Sequence, residues 1–108
     1  MGAMMIIYEV NLSIDKGIYS KFELWLTAHV KEMLQFPGFI QAFIFKEEQG
    51  DVFDQHKLTV QYQLENRVYL ETYFSEFAPK MREEGMKLFG DNYSATRRIF
   101  ETQAVISK

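Results

Sequence analysis

The segment Leu58-Thr59-Val60-Gln61-Tyr62-Gln63-Leu64 alternates apolar and polar residues without a break. Side chains on a strand point to opposite faces in turn. The stretch therefore makes one dry face from Leu58, Val60, Tyr62 and Leu64, and one polar face from Thr59, Gln61 and Gln63. The chain start repeats the pattern: between Met5 and Leu12, Ile6, Tyr8, Val10 and Leu12 alternate with Ile7, Glu9 and Asn11. Two half-buried strands of this kind need a covering layer on one side only. The residues between them supply it. After the turn residues Asp15-Lys16-Gly17, the side chains of Ile18, Phe22, Trp25, Leu26, His29, Val30, Met33 and Phe36 recur at three- and four-residue spacing until Pro37-Gly38 stops the run, which predicts a helix. Phe39 to Glu47 then reads as a strand that closes in a polar turn at Glu48-Gln49-Gly50-Asp51. It should pair with the 58–64 strand as an antiparallel hairpin.

Downstream, Asn66 is a good N-cap for a second helix carrying Leu70, Phe74, Phe77, Met81 and Leu88 on one face, with Gly90 to end it. Pro79 lies inside that run, which predicts either a kink or two short helices with Pro79 in the first turn of the second. Tyr93 to Thr102 reads as the last strand. The order β-α-β-β-α-β defines an α+β, ferredoxin-like fold, with a four-stranded antiparallel sheet and both helices on one face. On the other face Ile7, Glu9, Asn11, Thr59, Gln61 and Gln63 are joined by Phe43 and Phe45. A mixed surface of that size marks a partner site, and the sheet of a second copy would cover it, so a homodimer is expected. Residues 1–4 read as an appended or disordered start, and 5–108 as a single domain.

Composition agrees with one compact domain. The 108 residues are 47% hydrophobic, 16% aromatic and 25% charged, enough for a core and too rich for a disordered chain. The net charge of −3 comes without a basic stripe, which excludes a nucleic-acid backbone as the expected partner. Without cysteine there is no disulfide framework, thiolate metal site or cysteine nucleophile. No apolar run reaches the roughly 18–20 residues of a membrane span, and no signal-like start is evident, so no membrane is expected and the cytoplasm is the expected location.

Short motifs in a fixed order carry a family resemblance: Ile6-Ile7-Tyr8-Glu9-Val10, Trp25-Leu26-Thr27-Ala28-His29, Gly38-Phe39, Gln61-Tyr62, Tyr73-Phe74 with Ala78-Pro79-Lys80-Met81-Arg82, and Phe89-Gly90-Asp91 leading to Arg97-Arg98. Together, from Met5 to about Glu101, they resemble DUF4286, a bacterial family of unknown function within the dimeric α+β barrel superfamily. The resemblance implies a barrel made by two facing sheets. It leaves function open, because that superfamily spans cofactor-independent monooxygenases of antibiotic biosynthesis, haem-degrading enzymes, muconolactone isomerases and proteins without known activity.

Among single residues, His29 falls within the apolar arc of the first helix and faces the sheet. It reads either as a general base or hydrogen-bonding group in a pocket, or as a core histidine bonded to a carbonyl or a tyrosine. Trp25, Tyr8, Tyr62 and Tyr73, together with Tyr69, could line a site for a flat ligand, although core packing explains any one of them as well. Arg97 and Arg98 must point to opposite faces. One of them should meet a carboxylate such as Glu9 or an anionic ligand. Arg97 joins Trp25, Tyr8, Tyr62 and Tyr73 as the expected ligand contacts, with His29 as the catalytic candidate.

No metal is expected, because His29 and His56, the latter at a loop edge, lack ligand spacing, and no cofactor is expected, because phosphate and dinucleotide loops are missing. Haem is disfavoured because the second helix has no histidine to serve as an axial ligand. Lys80-Met81-Arg82-Glu83-Glu84 reads as a solvated helix face. The leading functional expectation is a small dimeric protein that binds a hydrophobic or aromatic molecule between helix and sheet. The alternatives are an interaction or stress-response module acting through its dimer surface, and a cofactor-independent monooxygenase or isomerase-like enzyme.

Overall fold

The two alternating segments become the central strands of one sheet. The computed structural model describes residues 5–48 and 54–108. In it β1 (Ile6–Asp15) and β3 (Gln55–Leu64) pair antiparallel, with Tyr8 opposite Tyr62, Glu9 opposite Gln61 and Val10 opposite Val60. This register matches apolar with apolar and polar with polar, so a slip of one residue would turn the whole core face to water. β2 (Phe39–Lys46) and β4 (Tyr93–Glu101) flank them in the order β2-β3-β1-β4, antiparallel throughout. Both central strands run further than their alternation alone predicts. Ile14 is fully buried and pairs with His56, so His56 lies within β3 rather than at a loop edge, its ring 4.1 Å from that of Tyr19. Residues 49–51 of the expected polar turn and the expected leader 1–4 lie outside the described residues.

A 3-10 turn at Lys16–Ile18 leads into α1 (Tyr19–Met33), which buries Phe22, Leu26, Val30 and Met33 against the sheet. Each such side chain removed from water contributes roughly 1.5–3 kcal/mol. The chain leaves α1 through Gly38, whose φ of +84° is a left-handed conformation. The Tyr69 ring occupies the space that a β-carbon at Gly38 would need. Gly38 is thus required both by its backbone and by its neighbour.

The second helical segment divides into α2 (Arg67–Thr72), a π-helical turn (Tyr73–Phe77) and α3 (Ala78–Phe89). Asn66 caps α2 as expected, its side-chain oxygen accepting from the Tyr69 N–H at 3.4 Å. Pro79 sits in the first turn of α3, where its missing N–H has no intrahelical bond to lose. The π turn holds one more residue than an α turn, so everything after it lies about 100° behind the phase an unbroken α period would give. Ala78, Met81 and Gly85 consequently face inward. Leu88, expected on the buried face, is instead 63% exposed, and Phe89 packs against the core in its place. At Gly85 a β-carbon would lie 2.5 Å from the Tyr93 hydroxyl and 3.0 Å from the Trp25 ring, which is how closely α3 approaches both. Among the described residues, no helix is long and apolar enough to cross a membrane.

Candidate functional site

The space between helices and sheet is where the expected ligand contacts meet. Tyr8 from β1, Tyr62 from β3, Arg97 from β4, Trp25 and His29 from α1, and Tyr73 from the π turn line one cavity. Strand alternation turns Tyr8, Tyr62 and Arg97 to the helix side, since Arg97 stands opposite Val10 on β1. Helical spacing of four places His29 beside Trp25, with ring centroids 4.5 Å apart and planes 25° apart. Tyr8 is the hub of the aromatic wall, its centroid 5.9 Å from those of both Tyr62 and Tyr73. The enclosed part is narrow, a volume of about 50 Å³, and reaches about 490 Å³ only when the open mouth is counted. The enclosed part has room for a few waters. An aromatic ligand must therefore use the mouth or displace side chains.

The electrostatics of the cavity are one-sided. Burial pushes the Tyr62 phenol well above its ordinary pKa, aided by Tyr73 and Tyr8 and opposed by Arg97. Burial does the same to Tyr73, aided by Tyr8 and opposed by Arg82 and Arg97. Both phenols stay protonated and can donate hydrogen bonds. Burial lowers the His29 pKa, with nearby Glu32 partly restoring it, so the imidazole is neutral at pH 7. Its Nδ1 is buried and has no hydrogen-bond partner among the described residues, which is not the bonded core histidine that packing alone would demand.

Arg82 is the member of the site that sequence reasoning missed. Assigned there to a solvated helix face, it is indeed exposed but also lines the cavity mouth and donates from Nη2 to the Tyr8 hydroxyl at 3.3 Å. Its place in the stripe Ala78, Met81, Arg82, Gly85 was the available signal, hidden because two of those residues are too small to register as an apolar face. Tyr69, considered with the other tyrosines, does not line the cavity and packs over Gly38.

The opposite sheet face carries a second arrangement. Glu9 is 3% exposed and accepts hydrogen bonds from Asn11 at 2.9 Å, Gln61 at 2.9 Å and Arg98 at 2.7 Å. Asn11 in turn accepts from the Thr59 hydroxyl at 2.8 Å. Burial alone would raise the Glu9 pKa, but the bonds from Asn11, Gln61 and Arg98, with the charge of Arg98, outweigh it and hold the carboxyl below its usual range. Arg98 is thus the arginine that meets Glu9, leaving Arg97 to the cavity. Around this polar centre Phe43 and Phe45 stack at 5.8 Å, and the Arg98 guanidinium lies 5.1 Å from the Phe100 ring. Among the described residues, no group of three His, Asp or Glu side chains is gathered to hold a metal ion.

This sheet, its single helix layer and the cavity between them define a ferredoxin-like α+β protein, and solved structures share that fold. SnoaB, a cofactor-independent oxygenase from Streptomyces nogalater, matches with a TM-score of 0.72 at 13% identity, over 95% of this chain and 98% of that one. A dimeric ferredoxin-like protein from an uncultured marine organism matches at 0.73 and 11% identity, over 95% and 99%. An ethyl tert-butyl ether D (EthD) family protein from Bacillus halodurans matches at 0.67 and 14% identity, over 93% and 100%. At such identities the likeness concerns fold alone. The chain belongs to the DUF4286 family, a domain of unknown function, whose pattern matches residues 5–103. No curated protein matches the sequence.

Proposed function

We propose that this protein is a cytoplasmic homodimer that binds a small planar, hydrophobic or aromatic molecule in the cavity between α1, α3 and the sheet, with His29 as the proton acceptor. The observation that carries it is the buried, unpartnered Nδ1 of His29 in the wall of that cavity. A polar atom in that position is satisfied by a ligand or by water. A neutral imidazole can take a proton from an acidic O–H or C–H of the ligand, and the protonated Tyr62 and Tyr73 can donate to the oxygen on which negative charge develops. Such chemistry suits an enolisable or phenolic compound that brings its own reactivity. The dimer is supported by the Phe43, Phe45 and Phe100 rim of the open sheet and by the dimeric description of one structural neighbour.

Trp25 is the only tryptophan and lines the cavity, so its indole N–H signal in an NMR spectrum reports on occupancy. A screen of phenolic and aromatic compounds should shift that signal. His29→Gln should weaken binding or turnover at least tenfold with a modest change in stability. Titration should place the His29 pKa below its usual 6.5, so stability is complete above that pH and declines as pH falls towards the folded-state value. A loss of several kcal/mol of stability in His29→Gln, with binding unchanged, would make the imidazole structural and end the reading.

A further inference from the structure

The charge balance of the cavity narrows what it binds. Arg82 from α3 and Arg97 from β4 both line it, and none of its lining residues is an aspartate or glutamate. The carboxylates that neutralise cations elsewhere are already engaged: Glu9 with Arg98, Glu71 with Arg67 and Glu83 with Lys87. Among the described residues, no carboxylate pairs with Arg97 or Arg82. Both guanidinium groups act on the Tyr73 phenol, so both lie within reach of the same part of the lining. Neutral His29 adds no third cation. Two exposed guanidinium groups at the mouth of one cavity draw an anion to it. The planar guanidinium fork matches a carboxylate in particular. The Tyr8, Tyr62 and Tyr73 rings form the apolar floor of the same cavity, 1–3% exposed, so a ligand ring reaches them from the mouth by displacing side chains.

We infer that the ligand is a small aromatic or conjugated carboxylic acid, its carboxylate held by Arg82 and Arg97 and its ring against the Tyr8, Tyr62 and Tyr73 wall. This rests on the cavity being the binding site. It adds the anionic group, which the aromatic lining and His29 alone do not demand.

Benzoate and its neutral analogue methyl benzoate, titrated at equal ionic strength and read at the Trp25 indole signal, separate the two ideas. Benzoate should bind at least tenfold more tightly than the ester. Arg97→Met, on an exposed edge strand, should weaken benzoate at least tenfold and abolish its preference over the ester. Arg82→Met should do likewise, and Arg67→Met, remote from the cavity, should have no effect. Should Arg82→Met fail to fold, Arg97→Met decides alone. Equal binding of acid and ester, or benzoate binding indifferent to Arg97→Met, would overturn the acid while leaving the cavity standing. If neither compound moves the Trp25 signal, the cavity reading falls and the acid with it.

Discussion

Replacing Phe43 and Phe45 together by threonine should convert a dimer into a monomer. Both rings lie on the sheet face opposite the helices, 42% and 47% exposed, and they stack on each other at 5.8 Å. A phenylalanine carries roughly 200 Å² of surface, so each leaves roughly 90 Å² in water. Covering that area is worth roughly 2 kcal/mol per ring at about 25 cal/mol per Å². A two-fold pair of sheets brings four such rings together, for an upper bound of about 8–9 kcal/mol, from which ordering and desolvation subtract. If half survives, loss of the rings weakens the dimer by about 4 kcal/mol, roughly a thousandfold in Kd. Threonine keeps the strand preference and both positions lie opposite Gln61 and Thr59 on the face away from the helices, so monomer stability should change by less than about 1 kcal/mol. Sedimentation velocity across a dilution series from micromolar to hundreds of micromolar measures the change. A wild-type chain that stays monomeric at tens of micromolar, or a double variant that dimerises as the wild type does, would refute the reasoning.

Two further outcomes follow from the same structure. The Glu9 carboxyl is held below its usual pKa in the folded chain, so its contribution is complete above about pH 4.3, where the unfolded carboxyl titrates, and is lost as pH falls through the folded value. Glu9→Gln turns an amide toward the donors of Asn11, Gln61 and Arg98 and should cost about 1–3 kcal/mol at neutral pH, with a flatter acid limb in urea titrations. Coincident acid limbs would count against the network. Gly38→Ala meets both the left-handed backbone and the Tyr69 ring and should lose roughly 3 kcal/mol, more than about 10 °C in Tm by calorimetry, whereas Gly17→Ala, with open space around it, should change little. Equal Tm values for the two alanine variants would disprove the close approach.

Strand alternation made most of the sheet legible, because one face packs on helices and the other does not. Tyr8, Val10, Val60 and Tyr62 needed no more than a period of two to be placed on the helix side, and the same rule divided Arg97 from Arg98. It did not say which arginine was which, since that depends on the pairing of β4 with β1, and pairing is a long-range fact. The cavity set was legible for the same reason, with each member on the inward face of its own element. Arg82 was read outward from the charges of its neighbours, and Leu88 was misplaced by one local event. A regular period counted through Tyr73–Phe77 assumes an α turn, and nothing in the composition of Tyr73-Phe74-Ser75-Glu76-Phe77 announces the wider one. The length of β3 was underestimated because Gln55, His56 and Lys57 are polar and join the sheet only by pairing with the continuation of β1.

The wider turn spends one residue more than an α-helix needs, so it can give that residue up without moving what lies beyond it. Deleting the exposed Ser75 would let the segment close into ordinary α-helix with every backbone bond made, while α3 keeps its phase, Arg82 stays at the cavity and Gly85 stays beneath Trp25 and Tyr93. The same deletion between Pro79 and Gly85 finds no spare residue and would turn everything after it by about 100°. Chains descended from this one should therefore vary in length at the turn sooner than inside α3.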